Sequence, residues 1–346
     1  VPPNPVLTHA IERLLDREDL GRDEATAALG VILAGEAEEA QTAAFLVALR
    51  AKGETAGELA GLATAIREHA VGVRAPGNGA LVDTCGTGGG RVTFNISTTT
   101  AFVAAGAGVG VAKHGNRSAT SRSGSADVLE ALGARIDLEA DGVAACLERT
   151  GVGFMFAPAH HPAFRHVVPV RRALGVRTIF NLLGPLTNPA GASRQLLGVS
   201  HPAYMERMAH ALLELGGQRA MLVSSRDGLD ELSTGAVNDV VELRDGRVAS
   251  SEVDPAGLGF APPDPEALRG GEPAENAAVL RAVLEGRGGA AAEIVILNAA
   301  AAIWLAGRAP SLEAALPRAE ESLRSGAARE RMEAFVAVSR ELAEER

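Results

Sequence analysis

Ala80-Leu81-Val82-Asp83-Thr84-Cys85-Gly86-Thr87-Gly88-Gly89-Gly90 decides the fold class: a short apolar strand runs into a loop of glycines. Beyond this loop, helical and strand patterns alternate. Ser97 to Ala107 reads as a helix of small residues and Val109 to Ala112 as a second buried strand. Val128 to Leu132 is helical, Arg135 to Leu138 strand-like, and Val143, Cys146 and Leu147 mark a helix up to Gly151. Gln195 to Val199 and Arg219 to Ser224 are apolar runs of strand length, with a helix over Pro202 to Leu215 between them. Asp245-Gly246, set between Val240-Val241 and Val248, signals a hairpin. Ile294 to Leu297 and then Ala299 to Leu305 read as strand and helix, and the Ala-, Glu- and Arg-rich tail from Leu312 as helix with a solvated surface. Strands alternating with helices predict an α/β domain.

Upstream the pattern is helical only. Leu7, Ile11, Leu14 and Leu15 recur at helical spacing and stop at Leu20-Gly21. Asp23 is a candidate N-cap for a helix through Leu33, Glu38 to Ala51 is a third helix, and Thr55 with Glu58 has the spacing of a capping box. Val73-Arg74-Ala75-Pro76-Gly77-Asn78-Gly79, rich in chain breakers, is the expected domain boundary.

A chain of 346 residues has room for two domains, and 47% hydrophobic with 22% charged residues excludes a disordered one. No uninterrupted apolar run is long enough for a membrane span. Val1-Pro2-Pro3-Asn4-Pro5 lacks a basic segment leading into an apolar one, so no signal peptide is expected. Cys85 and Cys146 make no disulfide framework and suit a reducing, cytoplasmic compartment. A net charge of −10 argues against nucleic acid as a partner. That charge is unevenly spread. Thr84 to Ala126 holds no acid but Arg91, Lys113, Arg117 and Arg122; Arg149 to Met205 holds none but Arg149, Arg165, Arg171, Arg172, Arg177 and Arg194. All 43 acids therefore lie elsewhere, beside only 23 of the 33 cations. Either the two stretches are buried or they line a site for an anion, and both can hold together.

The individual motifs admit two readings each. The glycine loop turns backbone N–H groups toward a phosphate, or is a tight turn; it fits neither G-x-G-x-x-G nor a Walker loop. Ser97 or Thr98 is an N-cap candidate, yet the four hydroxyls Ser97 to Thr100 exceed what capping needs and could hold a phosphate oxygen or a metal-bound water. Lys113-His114-Gly115-Asn116-Arg117-Ser118 comes directly after a strand, where α/β folds bind ligands, and Lys113 is one of only two lysines. With Thr120, Ser121 and Ser123 the segment offers many donors and no negative charge, which points to an anion; Ser125 is cap or ligand. Asp230-Glu231 is a solvated pair or, beside a diphosphate, a Mg²⁺ site. His160-His161-Pro162 lacks a third ligand at zinc spacing, so zinc is rejected. Arg171 or Arg172 suits a substrate carboxylate in bidentate fashion, and Arg177 competes for that role. Asn181-Leu182-Leu183-Gly184-Pro185-Leu186-Thr187-Asn188-Pro189 carries Gly and Pro at hinge-like spacing, or is a plain loop.

As a set these motifs are more specific. Gly86-Thr87-Gly88-Gly89, Asn95-Ile96-Ser97-Thr98, Lys113-His114-Gly115-Asn116-Arg117, the run Arg177 to Pro189 and Asp230-Glu231, in this order, closely resemble the anthranilate phosphoribosyltransferase family over nearly the whole chain. The related pyrimidine nucleoside phosphorylases share the glycine loop but differ after it. The resemblance implies a small all-helical domain plus a large α/β domain with a central, mainly parallel sheet flanked by helices. The helical domain would be residues 1–75, with about 168–190 packing back onto it, and would form a homodimer; the α/β domain would be 80–165 and 191–346. It also implies the reaction: anthranilate and phosphoribosyl pyrophosphate give N-(5-phosphoribosyl)anthranilate and pyrophosphate, in tryptophan biosynthesis, with Mg²⁺ as cofactor, and with neither nucleic acid nor membrane as partner.

By position, the resemblance assigns phosphoribosyl pyrophosphate to Gly86, Thr87, Gly88, Gly89, Gly90, Thr93, Asn95, Ile96, Ser97, Thr98, Lys113 and Ser125, and to the loop His114, Gly115, Asn116, Arg117, Ser118, Ala119, Thr120 and Ser121. Mg²⁺ falls to Ser97, Asp230 and Glu231; anthranilate to Asn116, Arg171 and His161, with Gly86 close by; and the catalytic roles to Lys113, Asn116 and Arg171. One departure stands out. The family usually has Asp after Gly-Thr-Gly-Gly and then another Gly, whereas Gly89-Gly90-Arg91 looks one residue shorter and lacks that acid: either the Asp is deleted or Gly90 replaces it. Altered Mg²⁺ dependence is the expectation, with a Mg²⁺ titration before and after restoring Asp as its test. A purine- or orotate-type phosphoribosyltransferase is the runner-up, on Leu81-Val82-Asp83-Thr84 before glycines, but a second acid is missing there. A non-catalytic nucleic-acid-binding relative would lack Asp230-Glu231 and carry a basic surface, and neither is so.

Overall fold

The fold is that of a computed structural model, described for residues 2–75, 80–118, 122–287 and 289–345. The expected boundary is thus described only over Val73 to Ala75; Pro76 to Gly79, like Ala119, Thr120 and Ser121 of the anion loop, lies outside the described residues. Four helices come first: α1 (Pro5–Leu15), α2 (Arg22–Ala34), α3 (Glu39–Lys52) and α4 (Ala56–Glu68). The capping box at Thr55 is present, with Glu58 N donating to Thr55 Oγ1 at 3.2 Å and Thr55 N to Glu58 Oε2 at 2.8 Å. Asp23 does not cap α2. Gly21 occupies that position and Glu24 reaches back to its N–H at 2.7 Å, leaving Asp23 in the first turn, where a carboxylate still favours the helix dipole. A Cβ at Gly61 would overlap the Arg22 carbonyl, so this glycine lets α2 and α4 close on each other.

The sheet has seven strands: β1 (Leu81–Gly86), β2 (Gly110–Gly115), β3 (Val152–Phe156), β4 (Arg194–Gly198), β5 (Arg219–Ser225), β6 (Asn238–Arg244) and β7 (Arg247–Val253), in the order β3-β2-β1-β4-β5-β6-β7. The first five are parallel; β6 and β7 are antiparallel and joined by Asp245-Gly246, both at positive φ (51° and 73°), as a two-residue hairpin turn requires. Interleaved are α5 (Ile96–Gly106), α6 (Ser125–Ala131), α7 (Ala140–Thr150), α8 (Ala157–His160), α9 (Val168–Leu174), α10 (Phe180–Leu183) and α11 (Met205–Glu214), and α12 (Pro273–Leu284), α13 (Ala290–Leu305), α14 (Leu312–Arg324) and α15 (Ala327–Glu344) close the chain. One core lies between one sheet face and α5–α7 with α12–α15. The other joins α1–α4 to Val167, Val170, Ile179, Phe180, Leu183 and Leu186, then to α11 and the opposite face.

Several local expectations change. Ile294 to Leu297 is not a strand: α13 runs unbroken because it is buried on nearly all sides, which erases the helical periodicity, and Asn298 ties it to the Leu232 carbonyl at 2.8 Å. Arg135 to Leu138 pairs with no strand; Ile136 and Leu138 are buried, and Arg135 N donates to Ser339 Oγ of α15. The tail is more than a solvated surface, since α14 and α15 each bury a stripe, with Phe335 at 5.9 Å from Phe102. The strand β3 is an addition to the expected elements. β2 continues through Gly115, so Lys113 and His114 belong to the strand itself. Asn95, not Ser97 or Thr98, holds the N-cap position of α5.

Candidate active site

The parallel strands reverse their order between β1 and β4, and the crevice beyond their carboxyl ends is where such sheets bind ligands. The glycine loop crosses it. Thr87 N donates to the Gly198 carbonyl at 2.8 Å, and Ser200 N donates to Thr87 Oγ1 at 3.1 Å, stitching the loops after β1 and β4 together. Arg91 N donates to the Gly228 carbonyl at 3.0 Å and adds the loop after β5. The glycines permit close approach. A Cβ at Gly198 would overlap the Asp230 carbonyl and one at Gly90 the Asp230 carboxylate, while at Gly86 it would stand 3.3 Å from Asp230 Oδ2. Gly88 and Gly89 also adopt positive φ, 65° and 89°.

Behind the loop, Lys113 is 3% exposed and donates to the Thr84 carbonyl and, at 3.1 Å, to Ser97 Oγ. Burial pulls its ammonium down and the nearby Asp83 opposes that. Asp83 was not among the expected site residues. It is fully buried, accepts from Asn188 Nδ2 at 2.7 Å and from His114 N at 3.2 Å, and is held up by burial. An acid inside one predicted strand and a lysine at the end of the next is the signal that could have exposed this pair. Asp230 and Glu231 keep part of their surface toward the crevice. Burial raises Asp230, which accepts from Gly88 N. Burial, then the charge of Asp230 beside it, pushes Glu231 up to about 8, against Lys113 and a bond from Ser97 N. Two adjacent carboxylates so raised, with the start of α5 bonded to Glu231 through Ser97 N, fit a divalent cation that keeps positions for substrate oxygens. Thr98 Oγ1, buried in the first turn of α5, has no hydrogen-bond partner among the described residues.

The loop after β2 divides its labour. Asn116 is exposed at the crevice. Arg117 turns instead to Asp127 (2.9 Å) and Glu130, and its guanidinium lies 5.6 Å over the Phe156 ring, so it braces α6 rather than facing a ligand. Asp127 Oδ2 accepts both Ser118 N at 3.1 Å and Gly124 N at 2.8 Å, closing the neck of the loop. Ser125 is the first residue of α6 and donates to the Asn116 carbonyl at 3.3 Å. Asn95 is structural as well: its amide donates to the Ser123 carbonyl and accepts from Asn276 of α12 at 2.9 Å. Thr93 bridges to Arg269 in backbone pairing.

A row of rings leads away from this polar end. His114 lies 5.0 Å from His161, which stacks on Phe164 at 5.0 Å; Phe164 meets Phe180 edge-on at 5.5 Å, and the Arg171 guanidinium covers Phe180 at 5.3 Å. Among the described residues, neither ring nitrogen of His161 has a hydrogen-bond partner. Burial, then the neighbouring His160, holds His161 down to about 4, and burial, then His161, holds His114 at about 3, so both are neutral. Arg171 is half-buried with no carboxylate beside it among the described residues, whereas Arg172 is exposed. Arg177 is elsewhere: its guanidinium lies on the glycine loop, with Nη2 3.5 Å from the Gly88 carbonyl.

Comparison with known proteins agrees with this architecture. The helical bundle domain of the glycosyl transferase family matches residues 8–70 and the a/b domain of that family residues 78–329. The chain is 52% identical to the anthranilate phosphoribosyltransferase of Rubrobacter xylanophilus over 98% of its length and 99% of the relative's, and 48% identical to that of Methanocorpusculum labreanum over 96% and 98%. Among solved structures, the anthranilate phosphoribosyltransferase of Thermus thermophilus superposes with a TM-score of 0.89 at 44% identity, covering 96% of this chain and 99% of that one. The Saccharomyces cerevisiae enzyme in complex with PRPP and Mg superposes at 0.88 and 28%, over 97% and 98%. No helix among the described residues is long and apolar enough to cross a membrane.

Proposed function

The chain belongs to the anthranilate phosphoribosyltransferase family, and from that premise we propose how its crevice divides the work. The enzyme transfers the 5-phosphoribosyl group of phosphoribosyl pyrophosphate to the amine of anthranilate, in tryptophan biosynthesis, with Mg²⁺ as cofactor. One observation carries the assignment of roles: the glycine loop, Lys113, Ser97 and the Asp230-Glu231 pair meet at the switch point of the sheet. The anthranilate amine is already a nucleophile, so no general base is required. The difficult step is departure of pyrophosphate from the anomeric carbon, which leaves positive charge on the ribose while the new C–N bond forms.

Lys113 and the backbone N–H groups of the glycine loop and the start of α5 stabilise the departing diphosphate, and Thr98 offers its unpaired hydroxyl to a phosphate oxygen. Asp230, Glu231 and Ser97 would hold Mg²⁺, which when bound would supply charge neutralisation for the departing diphosphate. Asn116, His161 and Arg171 receive anthranilate: the ring row supplies an apolar wall, and the uncompensated Arg171 guanidinium takes the carboxylate. Loss of anthranilate fluorescence on adding phosphoribosyl pyrophosphate and Mg²⁺ tests this; turnover with another base but none with anthranilate overturns it.

Residues 1–75 with 168–190 are proposed as one unit and 80–165 with 191–346 as the other. The homodimer is proposed to form through the first, where Val6 and Leu15 of α1 and Val47 of α3 are exposed. Its mass in solution is the check. A reducing cytoplasmic setting is proposed from the two free, buried cysteines.

A further inference from the structure

Arg177 lies between α9 and α10, in the segment that shares a core with the helical part. Its main chain is anchored there: its carbonyl accepts from the Arg50 guanidinium of α3, and the next residue, Thr178, donates its N–H to Asn181 Oδ1 at 3.1 Å. Its side chain reaches the other way. Nη2 stands 3.5 Å from the Gly88 carbonyl, and Nη1 fills the space a Cβ at Gly89 would take. On the inner side of the same loop, Asp230 occupies the space a Cβ at Gly90 would take and accepts from Gly88 N. The glycine backbone is therefore held between a guanidinium and a carboxylate, and Arg177 acts electrostatically on Asp230 across it. A cavity of about 300 Å³, lined among others by Arg50, Thr178, Asn181 and His201, lies beside Arg177, so a shorter side chain there leaves solvent space rather than a core void.

We propose that Arg177 is a positioning residue for the phosphoribosyl transfer: it presses the glycine loop onto Asp230 and thereby links the segment seated on the helical part to the diphosphate and Mg²⁺ end of the site. This rests on the assignment of the glycine loop and Asp230 to that end. It removes Arg177 from competition for the anthranilate carboxylate, which leaves Arg171 in that role.

The test compares Arg177→Gln, Arg177→Lys and Asp230→Asn in the full chain. In Arg177→Gln the KM for phosphoribosyl pyrophosphate and the Mg²⁺ concentration giving half activity should each rise about tenfold, the loss expected of one charge-assisted contact. The KM for anthranilate should stay within about twofold, and Arg177→Lys should fall between Gln and the parent, since a point charge replaces the fork only in part. Without turnover, Mn²⁺ binding to the enzyme–phosphoribosyl pyrophosphate complex, monitored by electron paramagnetic resonance, should weaken in parallel. Unchanged values in Arg177→Gln overturn the proposal, as does a rise confined to the anthranilate KM. If that happens while Asp230→Asn impairs both parameters, the assignment of the site survives; if Asp230→Asn leaves both unchanged as well, the assignment itself falls. Should Arg177→Gln fail to fold, Arg177→Lys is judged by the same criteria.

Discussion

The two ends of the crevice are built on opposite plans. At the diphosphate end there is little side-chain volume: Gly86, Gly90 and Gly198 let Asp230 approach backbone, and Lys113, Asp230 and Glu231 are ionisable groups crowded behind it. At the other end, His114, His161, Phe164 and Phe180 form a continuous row of rings with Arg171 at its tip. Glycine-backbone sites fail when volume is added; ring-lined sites fail when volume or neutrality is lost. Substitutions at the two ends should therefore separate cleanly.

The largest effect belongs to Lys113→Ala. It leaves Asp83 buried without its cation and removes a donor to the leaving group, so kcat/KM with saturating Mg²⁺ should fall about 100- to 1,000-fold. Next is the pH response of the ring row. His161 is neutral with a folded pKa of about 4, against about 6.5 for an unfolded histidine. Above about pH 6.5 both states are neutral and full stability is present; as pH falls the unfolded chain protonates first, and stability is lost down through the folded value. His161→Phe sacrifices no protein hydrogen bond and keeps the stack, so it should reduce the stability lost between pH 6.5 and 4 by about 3 kcal/mol at most. Urea midpoints at the two pH values measure it; an unchanged difference would show that His161 does not carry the response.

Gly90→Asp reverses an expectation drawn from the family pattern. Even its Cβ would overlap the Asp230 carboxylate, so restoring an acid there should displace Asp230 rather than repair the loop. The Mg²⁺ concentration for half activity should rise about tenfold, with like charges adjacent; a fall would show that the loop opens to accept the acid. The smallest effect is at the far end. Arg171→Ala should raise the anthranilate KM about three- to tenfold with the phosphoribosyl pyrophosphate KM unchanged, the loss of one half-buried charged contact. Equal effects on both would abolish the distinction between the ends.

The same contrast explains what can be read from the chain alone. The diphosphate end is legible because each part sits in a contiguous motif: glycines after a strand, hydroxyls at a helix start, adjacent acids past another strand. The ring row draws on β2, the α8–α9 region and α10, three segments that no local spacing connects. The sequence therefore marks His161, and Phe180 within the run Arg177 to Pro189, only through the family pattern, and Phe164 not at all. Arg117 misleads for a related reason. A cation in an acid-free stretch looks available, but its partners Asp127 and Glu130 lie just beyond the stretch, on α6. The long helix α13 reads as two elements because complete burial removes the periodicity that distinguishes helix from strand.

The clasp formed by Asp127 has a consequence for how such a chain can change over time. One oxygen atom joins the two ends of the loop between Ser118 and Gly124, so the closure entropy of that loop is met at its neck and not by the rest of the fold. Doubling the number of residues beyond the neck would cost only about 0.6 kcal/mol. Insertions there, with Asp127 retained, leave α6 and β2 in place, and the chain can diversify beyond the neck without drawing on the stability of the sheet.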